Sequence, residues 1–301
     1  MSTITPHLWF DTQAGEAADF YVSVFPDSEV TSRTVIHDTP SGDAENVSFR
    51  LWGQDFLAIS AGPQFTINPS ISFIVNVDPS RVDDAADEVD RIWAALSDGG
   101  QVLMELGEYP FSPRYGWVQD RYGVSWQVML TNPDGEPRPP ILPALLFVGD
   151  AAGKAEAARE LYTGLFEDSE LGALVLRPED AGAERAGTVL FSDFRLGDTW
   201  LTAMDSADPA HNFGFNEAVS LVVTCADQAE IDLMWEALSA VPAAERCGWC
   251  KDRFGVSWQI VPEALGRLMS SGTPEQSQRV VAAFLQMGKF DIAALEAAYA
   301  G

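Results

Sequence analysis

A fourteen-residue phrase occurs twice in this chain and constrains its fold more than any other feature. Residues 115–128 read YGWVQDRYGVSWQV, and residues 247–260, which begin 132 positions later, read CGWCKDRFGVSWQI. Nine of the fourteen positions are identical, which chance does not explain. Self-similarity at a fixed spacing marks a repeated structural unit. The 301 residues therefore contain one module of about 130 residues used twice, which agrees with the two domains expected from the length.

Charge and composition exclude several classes of partner. The formal net charge is −27 and the sequence pI is about 4.2. Such a field repels phosphate backbones and anionic membranes, so we expect neither a nucleic-acid nor a membrane partner. No apolar run approaches the roughly 20 residues that span a bilayer, and the N-terminus lacks the pattern of a signal peptide. Three cysteines are too few for a disulfide scaffold, so we expect a cytoplasmic protein.

Hydrophobic periodicity predicts the same order of elements in each half. In the first half, the spacing of Ala17, Phe20, Tyr21 and Val24 predicts a helix. The remaining patterns predict strands over 4–10, 30–36, 46–52, 56–61, 70–77, 101–105, 116–119 and 124–130, and a second helix over 82–96. The second half repeats this order but is ten residues shorter before its copy of the phrase, so we expect the strand near 101–109 to be missing there.

Composition divides the chain into four parts. Residues 132–140, NPDGEPRPP, resist both helix formation and sheet pairing, which predicts a linker. After Pro262, Thr273, Pro274 and Gln276 form an N-cap signature for a helix that we expect to end near Met287, and Asp291 can cap a final helix. We therefore predict a first module at 1–130, a Pro-rich linker at 131–140, a second module at 141–262 and a C-terminal helical extension at 263–301.

The sequence resembles the PhnB-like family, which carries the label 3-demethylubiquinone-9 3-methyltransferase domain and belongs to the vicinal-oxygen-chelate superfamily of glyoxalases, bleomycin-resistance proteins and extradiol dioxygenases. The matching segments are ITPHLWFDTQAGEAADFY, DRYGVSWQV, CGWCKDRFGVSWQIVPEALGRLM and VVAAFLQMGKFDIAALEAAYAG. The resemblance implies an α+β fold of two tandem βαβββ modules, with curved antiparallel sheets around a cup. The methyltransferase label itself finds no support in the residues, because no G-x-G-x-x-G loop occurs.

The same resemblance implies a divalent-metal site formed by the first, middle and last strands of a module. The matching positions here are His7, Ser70 or Ser72, and Gln127, which follows the turn glycine by four residues. Hard cations favour carboxylates and borderline ones favour several imidazoles, so this set predicts no metal; if one binds, His7 and Gln127 are its ligands. The second half carries Ala144 opposite His7, although Gln259 repeats Gln127.

Aromatic and cationic residues complete the predicted substrate-binding set. Strand parity places Gln127 and Trp126 on opposite faces, so we expect Trp126 and its twin Trp258 to be core residues. Aromatic side chains commonly line small-molecule pockets, and Arg114 is a candidate to meet an anionic group. The full predicted set is His7, Trp9, Trp52, Ser70, Ser72, Arg114, Trp117 and Gln127.

These patterns favour a protein that binds a small, partly apolar molecule in a sheet-lined cup. Two alternatives stay open: a divalent-metal-dependent lyase, isomerase or dioxygenase, and, with less support, a methyltransferase. Whether the protein is an enzyme is left undecided by the residues. Homodimerisation is a further expectation, because sheet edges favour pairing with another strand. The first half is the preferred location of the working site, since it alone carries His7.

Overall fold

The structure, a computed structural model, describes residues 3–39 and 42–301. Within these residues, each unit of the fold begins with a strand and a helix and continues with further strands. The first repeat contains β1 (Thr3–Phe10), α1 (Ala14–Val24), β2 (Glu29–Thr39), β3 (Gly42–Leu51), β4 (Gln54–Ser60), β5 (Ile71–Val77), α2 (Ala85–Ser97), β6 (Gln101–Tyr109), β7 (Ser112–Gln119) and β8 (Ser125–Leu130).

The second repeat follows the same order with one omission. It contains β9 (Ile141–Phe147), α3 (Ala155–Leu165), β10 (Glu170–Leu176), β11 (Val189–Leu196), β12 (Thr199–Asp205), β13 (Val219–Cys225), α4 (Gln228–Leu238), β14 (Trp249–Lys251) and β15 (Ser257–Pro262). A short 3-10 turn at Pro242–Ala244 stands where the first repeat has β6. The predicted loss of that strand is therefore confirmed.

The strands form two sheets, and each sheet combines both repeats. The seven-stranded sheet has the order β14-β15-β13-β1-β4-β3-β2, and the eight-stranded sheet has the order β10-β11-β12-β9-β5-β8-β7-β6. Their centres are the antiparallel pairs β1–β13 and β5–β9. Each repeat consists of two halves, so the fold has four such units: β1–β4, β5–β8, β9–β12 and β13–β15. In each of them the first and last strands pair in parallel. All other neighbouring strands within a unit are antiparallel.

This architecture confirms the predicted α+β class with tandem modules. The division of the sequence at residues 130, 140 and 262 stays a prediction, because in space the first half of each repeat completes the sheet of the other repeat's second half. Each sheet therefore contains strands from both sides of the linker. No helix among the described residues is long and apolar enough to cross a membrane.

Helices cover one side of each sheet and bury its aromatic core. Alternation along β1 sends Ile4, Leu8 and Phe10 to the helix-covered side and His7 and Trp9 to the other. Trp126 and Trp258 are fully buried, as predicted. The ring of Trp126 lies 5.3 Å from that of Tyr21, and the matching distance from Trp258 to Tyr162 is 5.0 Å.

A buried aspartate ties each tryptophan to the turn before its strand. Asp120 accepts hydrogen bonds from the backbone N–H groups of Tyr122 and Val124, and its second oxygen accepts the indole N–H of Trp126 at 2.8 Å. Asp252 does the same for Trp258 at 3.0 Å. Satisfying the carboxylate in this way is what makes its burial tolerable. The repeated D-R-[YF]-G-V-S-W phrase is thus a turn and core motif.

Three helices follow the last strand: α5 (Glu263–Ser271), α6 (Pro274–Phe284) and α7 (Ile292–Ala300). The predicted capping box at the start of α6 is present, with Thr273 and Gln276 bonding each other's backbone N–H groups. The helix ends at Phe284, earlier than predicted. The chain then returns to the seven-stranded sheet, where the carbonyls of Met287 and Gly288 accept the N–H groups of Cys247 and Gly248.

Candidate functional site

The uncovered face of the seven-stranded sheet bears a cavity of about 610 Å³, which we call the open cup. Its walls come from both repeats and from the C-terminal extension. Strands β1, β3 and β4 supply His7, Trp9, Asn46, Ser48, Leu57 and Ile59. Across the sheet stand Val222, Trp249, Gln259 and Val261, and the C-terminal segment adds Leu265, Phe284, Leu285 and Phe290.

Three polar side chains stand in a row on adjacent strands of the open cup. His7 lies directly opposite Ser220 in the β1–β13 pair, and Gln259 on β15 pairs with the neighbouring Val222. The amide Nε2 of Gln259 donates to Ser220 Oγ at 2.9 Å. All three side chains are more than nine-tenths buried. His7 and Gln259 therefore present polar atoms to a largely apolar cavity, and Ser220 orients the amide of Gln259.

Burial keeps His7 neutral. The residue is 7% exposed, and its Nδ1 atom has no hydrogen-bond partner. Desolvation disfavours the imidazolium and lowers the pKa of His7 to about 4. Trp249 meets the ring edge-on with the two centroids 5.5 Å apart. At neutral pH the side chain therefore offers an uncharged imidazole rather than a cation.

Aromatic rings form one wall of the open cup. The indole N–H of Trp9 donates to the Gly62 carbonyl at 2.8 Å, which holds the ring in place. Phe65 and Trp249 meet Trp9 in T-shaped contacts with centroid distances of 5.1 and 6.1 Å. A wall of this kind favours planar apolar ligands.

The equivalent face of the eight-stranded sheet, which we call the closed cup, is filled by the protein itself. Ala144 lies opposite Ser72 here, as His7 lies opposite Ser220 in the open cup. Gln127 Nε2 donates to Ser72 Oγ at 2.7 Å, which repeats the Gln259–Ser220 contact. The hydroxyl of Tyr115 then donates to Gln127 Oε1 at 2.8 Å.

The linker also contributes to the closed cup. The guanidinium of Arg138 lies 3.9 Å from the ring centroid of Trp200, and its Nε donates to Asp193 at 2.7 Å. Asn76 on β5 anchors the same segment through the carbonyls of Pro139 and Pro140. Apolar side chains pack over the remaining floor: Ile74, Met129, Leu142, Phe191, Trp200 and Met204.

The structure divides the predicted substrate-binding residues between these places. His7 and Trp9 lie in the open cup. Ser72 and Gln127 belong to the closed cup, Ser70 lies next to the start of β5, and Trp117 on β7 bonds Ser125 Oγ at 2.8 Å. The sequence repeat does not reveal this division, because β1 pairs with β13 and β5 pairs with β9, which belong to the other copy.

Two predicted residues, Arg114 and Trp52, lie away from both cups. Arg114 shares the strand parity of Gly116, where a Cβ atom would touch Trp93 of α2, and its guanidinium pairs with Asp90 of the same helix. It therefore faces the helix side of the sheet. Trp52 occupies the turn between β3 and β4 with φ of 45°, and its backbone N–H donates to Ser28 Oγ.

The residues gathered in the open cup do not fit the divalent metal that the superfamily implies. His7 and Gln127, the ligands expected if a metal binds, are in different sheets, and the side chains that join His7 are Ser220 and Gln259. One imidazole, one hydroxyl and one amide form a weak donor set for any divalent cation. Among the described residues, no group of three His, Cys, Asp or Glu side chains is arranged to hold a metal ion.

The sequence did not indicate Ser220, and it indicated Gln259 only as the residue equivalent to Gln127 in the second repeat. The repeated phrase itself was the available signal, because equivalent residues of two copies should face equivalent cups. A second hollow, of about 640 Å³, lies beside the turn at residues 252–255 and the start of α3. None of the predicted site residues lines it.

Comparison with known proteins shows which family the chain belongs to. The sequence profile of the family described as 3-demethylubiquinone-9 3-methyltransferase matches residues 2–129 and again residues 139–261. The chain belongs to this PhnB-like family. The two matches coincide with the two repeats, so the family domain occurs twice in one polypeptide. No curated protein has a sequence that matches the chain.

Solved structures relate the family domain to the glyoxalase fold. The PhnB protein of Bacillus cereus is 35% identical over 42% of this chain and 98% of its own, with a TM-score of 0.38. Glyoxalase I from Zea mays covers 78% of this chain and 80% of its own at 12% identity, with a TM-score of 0.51. At that identity the second likeness concerns the fold alone. The predicted vicinal-oxygen-chelate fold is confirmed.

Proposed function

We propose that this protein binds a small, partly apolar molecule in the open cup. The observation that carries the proposal is the contrast between two equivalent cups, of which one is filled by Tyr115 and Arg138 and the other contains about 610 Å³ of space. Ligand pockets commonly have volumes of about 300–1,000 Å³, apolar walls and a few placed polar groups. The open cup meets each of these criteria.

The two enzymatic alternatives have less support. A metal-dependent lyase, isomerase or dioxygenase would need ligands beyond His7, Ser220 and Gln259. The family description names a methyl transfer, but the chain has no G-x-G-x-x-G loop and its sheets are not of the doubly wound parallel type. Stoichiometric zinc, nickel, manganese or iron in protein purified without chelator, lost in His7→Ala, would favour the first alternative over binding.

We also propose a location in the cell and an oligomeric state for the protein. The thiols of Cys225, Cys247 and Cys250 are free, which fits the reducing cytoplasm that we propose as the location. We propose homodimerisation through β10, which ends the order of the eight-stranded sheet and exposes Leu171 and Val175. Light scattering on the purified protein decides this point, and a monomer at all concentrations would contradict it.

A neutral fluorescent probe tests the binding function. We expect N-phenyl-1-naphthylamine to bind with a stoichiometry of one per chain, with increased fluorescence in the apolar cup. Leu57→Trp fills the cavity beside His7 and abolishes the signal. Leu233→Trp, at an exposed position of α4, is the matched control and leaves it unchanged. Equal binding to both variants would contradict the proposal.

A further inference from the structure

We infer that the open cup takes a neutral phenol, an aromatic ring whose hydroxyl donates a hydrogen bond to Gln259 Oε1. This inference rests on the binding function proposed above and adds the chemical class of the ligand. It comes from comparing the two copies of one site inside a single chain. The closed cup contains its own phenol, and the open cup lacks it.

In the closed cup, a tyrosine hydroxyl donates a hydrogen bond to the oxygen of the glutamine. Gln127 uses its Nε2 to donate to Ser72 and its Oε1 to accept the hydroxyl of Tyr115. Tyr115 is 5% exposed, and its ring makes T-shaped contacts with Phe111 and Tyr109 at centroid distances of 4.9 and 5.3 Å. The closed cup thus shows that this Ser–Gln pair can accept a hydrogen bond from the hydroxyl of a phenol ring.

In the open cup, the position of Tyr115 in the repeated phrase belongs to Cys247. Gln259 Nε2 still donates to Ser220, so its amide is oriented as in the twin. A cysteine side chain has no aromatic ring, and its backbone leaves the strand direction with φ of 52°. Within residues 3–39 and 42–301, no hydroxyl or N–H group donates to Gln259 Oε1.

An amide oxygen accepts hydrogen bonds and cannot donate them, so a ligand must bring the donor. The oxygen faces the cavity, so water can reach it, and a ligand that displaces this water without donating a hydrogen bond leaves the acceptor unsatisfied. A donor-bearing ligand therefore has an advantage over an apolar one of the same shape. The space vacated by the tyrosine ring remains part of the cavity, because both Cys247 and Gln259 line it. A free phenol would restore the missing interaction.

The rest of the cavity favours an aromatic and uncharged ligand. Trp9, Phe65 and Trp249 form its aromatic wall, and Phe284 and Phe290 face it from the C-terminal extension. The charged lining residues are Glu217, which pairs with Lys251, and Arg246, which is exposed. A net charge of −27 opposes the approach of carboxylates, whereas phenols with a pKa of about 10 are neutral at pH 7.

Calorimetric titration with phenol and toluene tests the inference, because the two probes share a ring and differ in the hydroxyl. Raw affinities also contain the different hydration of the probes, so the decisive quantity is the ratio of their dissociation constants. We expect Gln259→Met, which keeps the length of the side chain but removes the amide oxygen, to shift that ratio about tenfold against phenol. Gln259→Glu retains an acceptor oxygen and keeps the wild-type preference for phenol.

The closed cup supplies the matched control. Gln127→Met removes the same amide from the twin site and leaves the phenol-to-toluene ratio unchanged. An unchanged ratio in Gln259→Met, with both probes still bound, overturns the phenol inference and leaves the binding function standing. Failure of N-phenyl-1-naphthylamine and of both small probes to bind the wild-type protein overturns the binding function itself.

If Gln259→Met does not fold, the wild-type protein still gives an answer. Anisole has the ring and oxygen of phenol but cannot donate a hydrogen bond. We expect phenol to compete with N-phenyl-1-naphthylamine at least about tenfold better than anisole after correction for the transfer of each probe from water to an apolar solvent. Equal competition would overturn the inference.

Discussion

The open and closed cups contain the same Ser–Gln pair, and what surrounds that pair makes them different. In the closed cup, Tyr115 bonds the glutamine, Ala144 stands beside the serine, and Arg138 of the linker stacks on Trp200. In the open cup, Cys247 and His7 take the first two places, and the C-terminal helices rather than a linker form the rim. One copy of the Ser–Gln pair is thus covered by side chains of the protein, and the other borders a cavity.

The two cups also differ in the hydrogen bonds of the glutamine and of the residue beside the serine. The glutamine of the closed cup bonds at both ends, whereas the open cup contains His7 with its Nδ1 unpartnered. An unpartnered buried atom is not peculiar to the open cup, because Thr202 Oγ1, on the same face of β12 as Trp200 and Met204, also lacks a partner. The free space beside Gln259, where the closed cup has Tyr115, is therefore the physical reason for proposing the working site in the seven-stranded sheet.

Exchanging the residues beside the two serines is the strongest test of this comparison. We expect Ala144→His to lower the free energy of unfolding by about 3 kcal/mol, because an imidazole must enter a packed face without a partner. His7→Ala should lower it by less than about 1 kcal/mol, since His7 already borders a cavity. Urea unfolding of both variants measures the difference. Equal losses would contradict the distinction between filled and open cups.

The buried His7 should make the free energy of unfolding of the wild-type protein depend on pH. Its folded pKa of about 4 lies below the unfolded value of 6.5, so the unfolded chain binds more protons between these values. The free energy of unfolding therefore falls as the pH drops from about 6.5 to 4, by as much as about 3 kcal/mol from this group.

His7→Ala removes that contribution and serves as the comparison. Burial of Asp120 acts in the opposite direction, because it raises the pKa of that carboxyl to about 6 and favours folding at low pH. The difference between wild type and variant at each pH isolates His7. Parallel stability curves for the two proteins would show that the imidazole titrates as freely as in the unfolded chain.

Removing Arg138 from the closed cup should lower the stability of the protein without affecting binding in the open cup. The ion pair of Arg138 with Asp193 is largely buried, with side-chain exposures of 17% and 8%. Arg138→Ala leaves that carboxylate without its cation, so we expect a loss of about 2 kcal/mol in unfolding free energy and no change in probe binding. Arg246→Ala, at the exposed rim of the open cup, is the control and should be nearly neutral in stability.

Local features of the fold were predictable from the sequence, and strand partners were not. The capping box at Thr273 and the core position of Trp126 each depend on neighbours within a few residues. The pairing of β1 with β13 joins residues more than 200 positions apart, and no turn or register signal specifies it. Because β5 and β13 are equivalent strands of the two repeats, the hydrophobic pattern does not indicate which of them pairs with β1.

The same ambiguity explains why the structure distributes the predicted site residues over two sheets. Alternation along β8 correctly places Trp126 in the core and Gln127 on the opposite face, but it does not say which side chains of other strands Gln127 joins. His7 was therefore grouped with Gln127 of its own repeat, and the structure groups it with Ser220 and Gln259 of the other. Arg114 was a candidate by charge alone, and its partner Asp90 comes from a helix whose position only the fold defines.

We propose that the open cup binds an aromatic ligand, whereas side chains of the protein occupy the closed cup. A crystal of the wild-type protein grown with 4-bromophenol tests it directly, because the anomalous signal of bromine locates the ring. We expect one bromine per chain in the open cup, with the phenol oxygen about 3 Å from Gln259 Oε1 and Tyr115 still bonded to Gln127. Bromine in the closed cup, or a ring in the open cup with no contact to Gln259, would contradict the account.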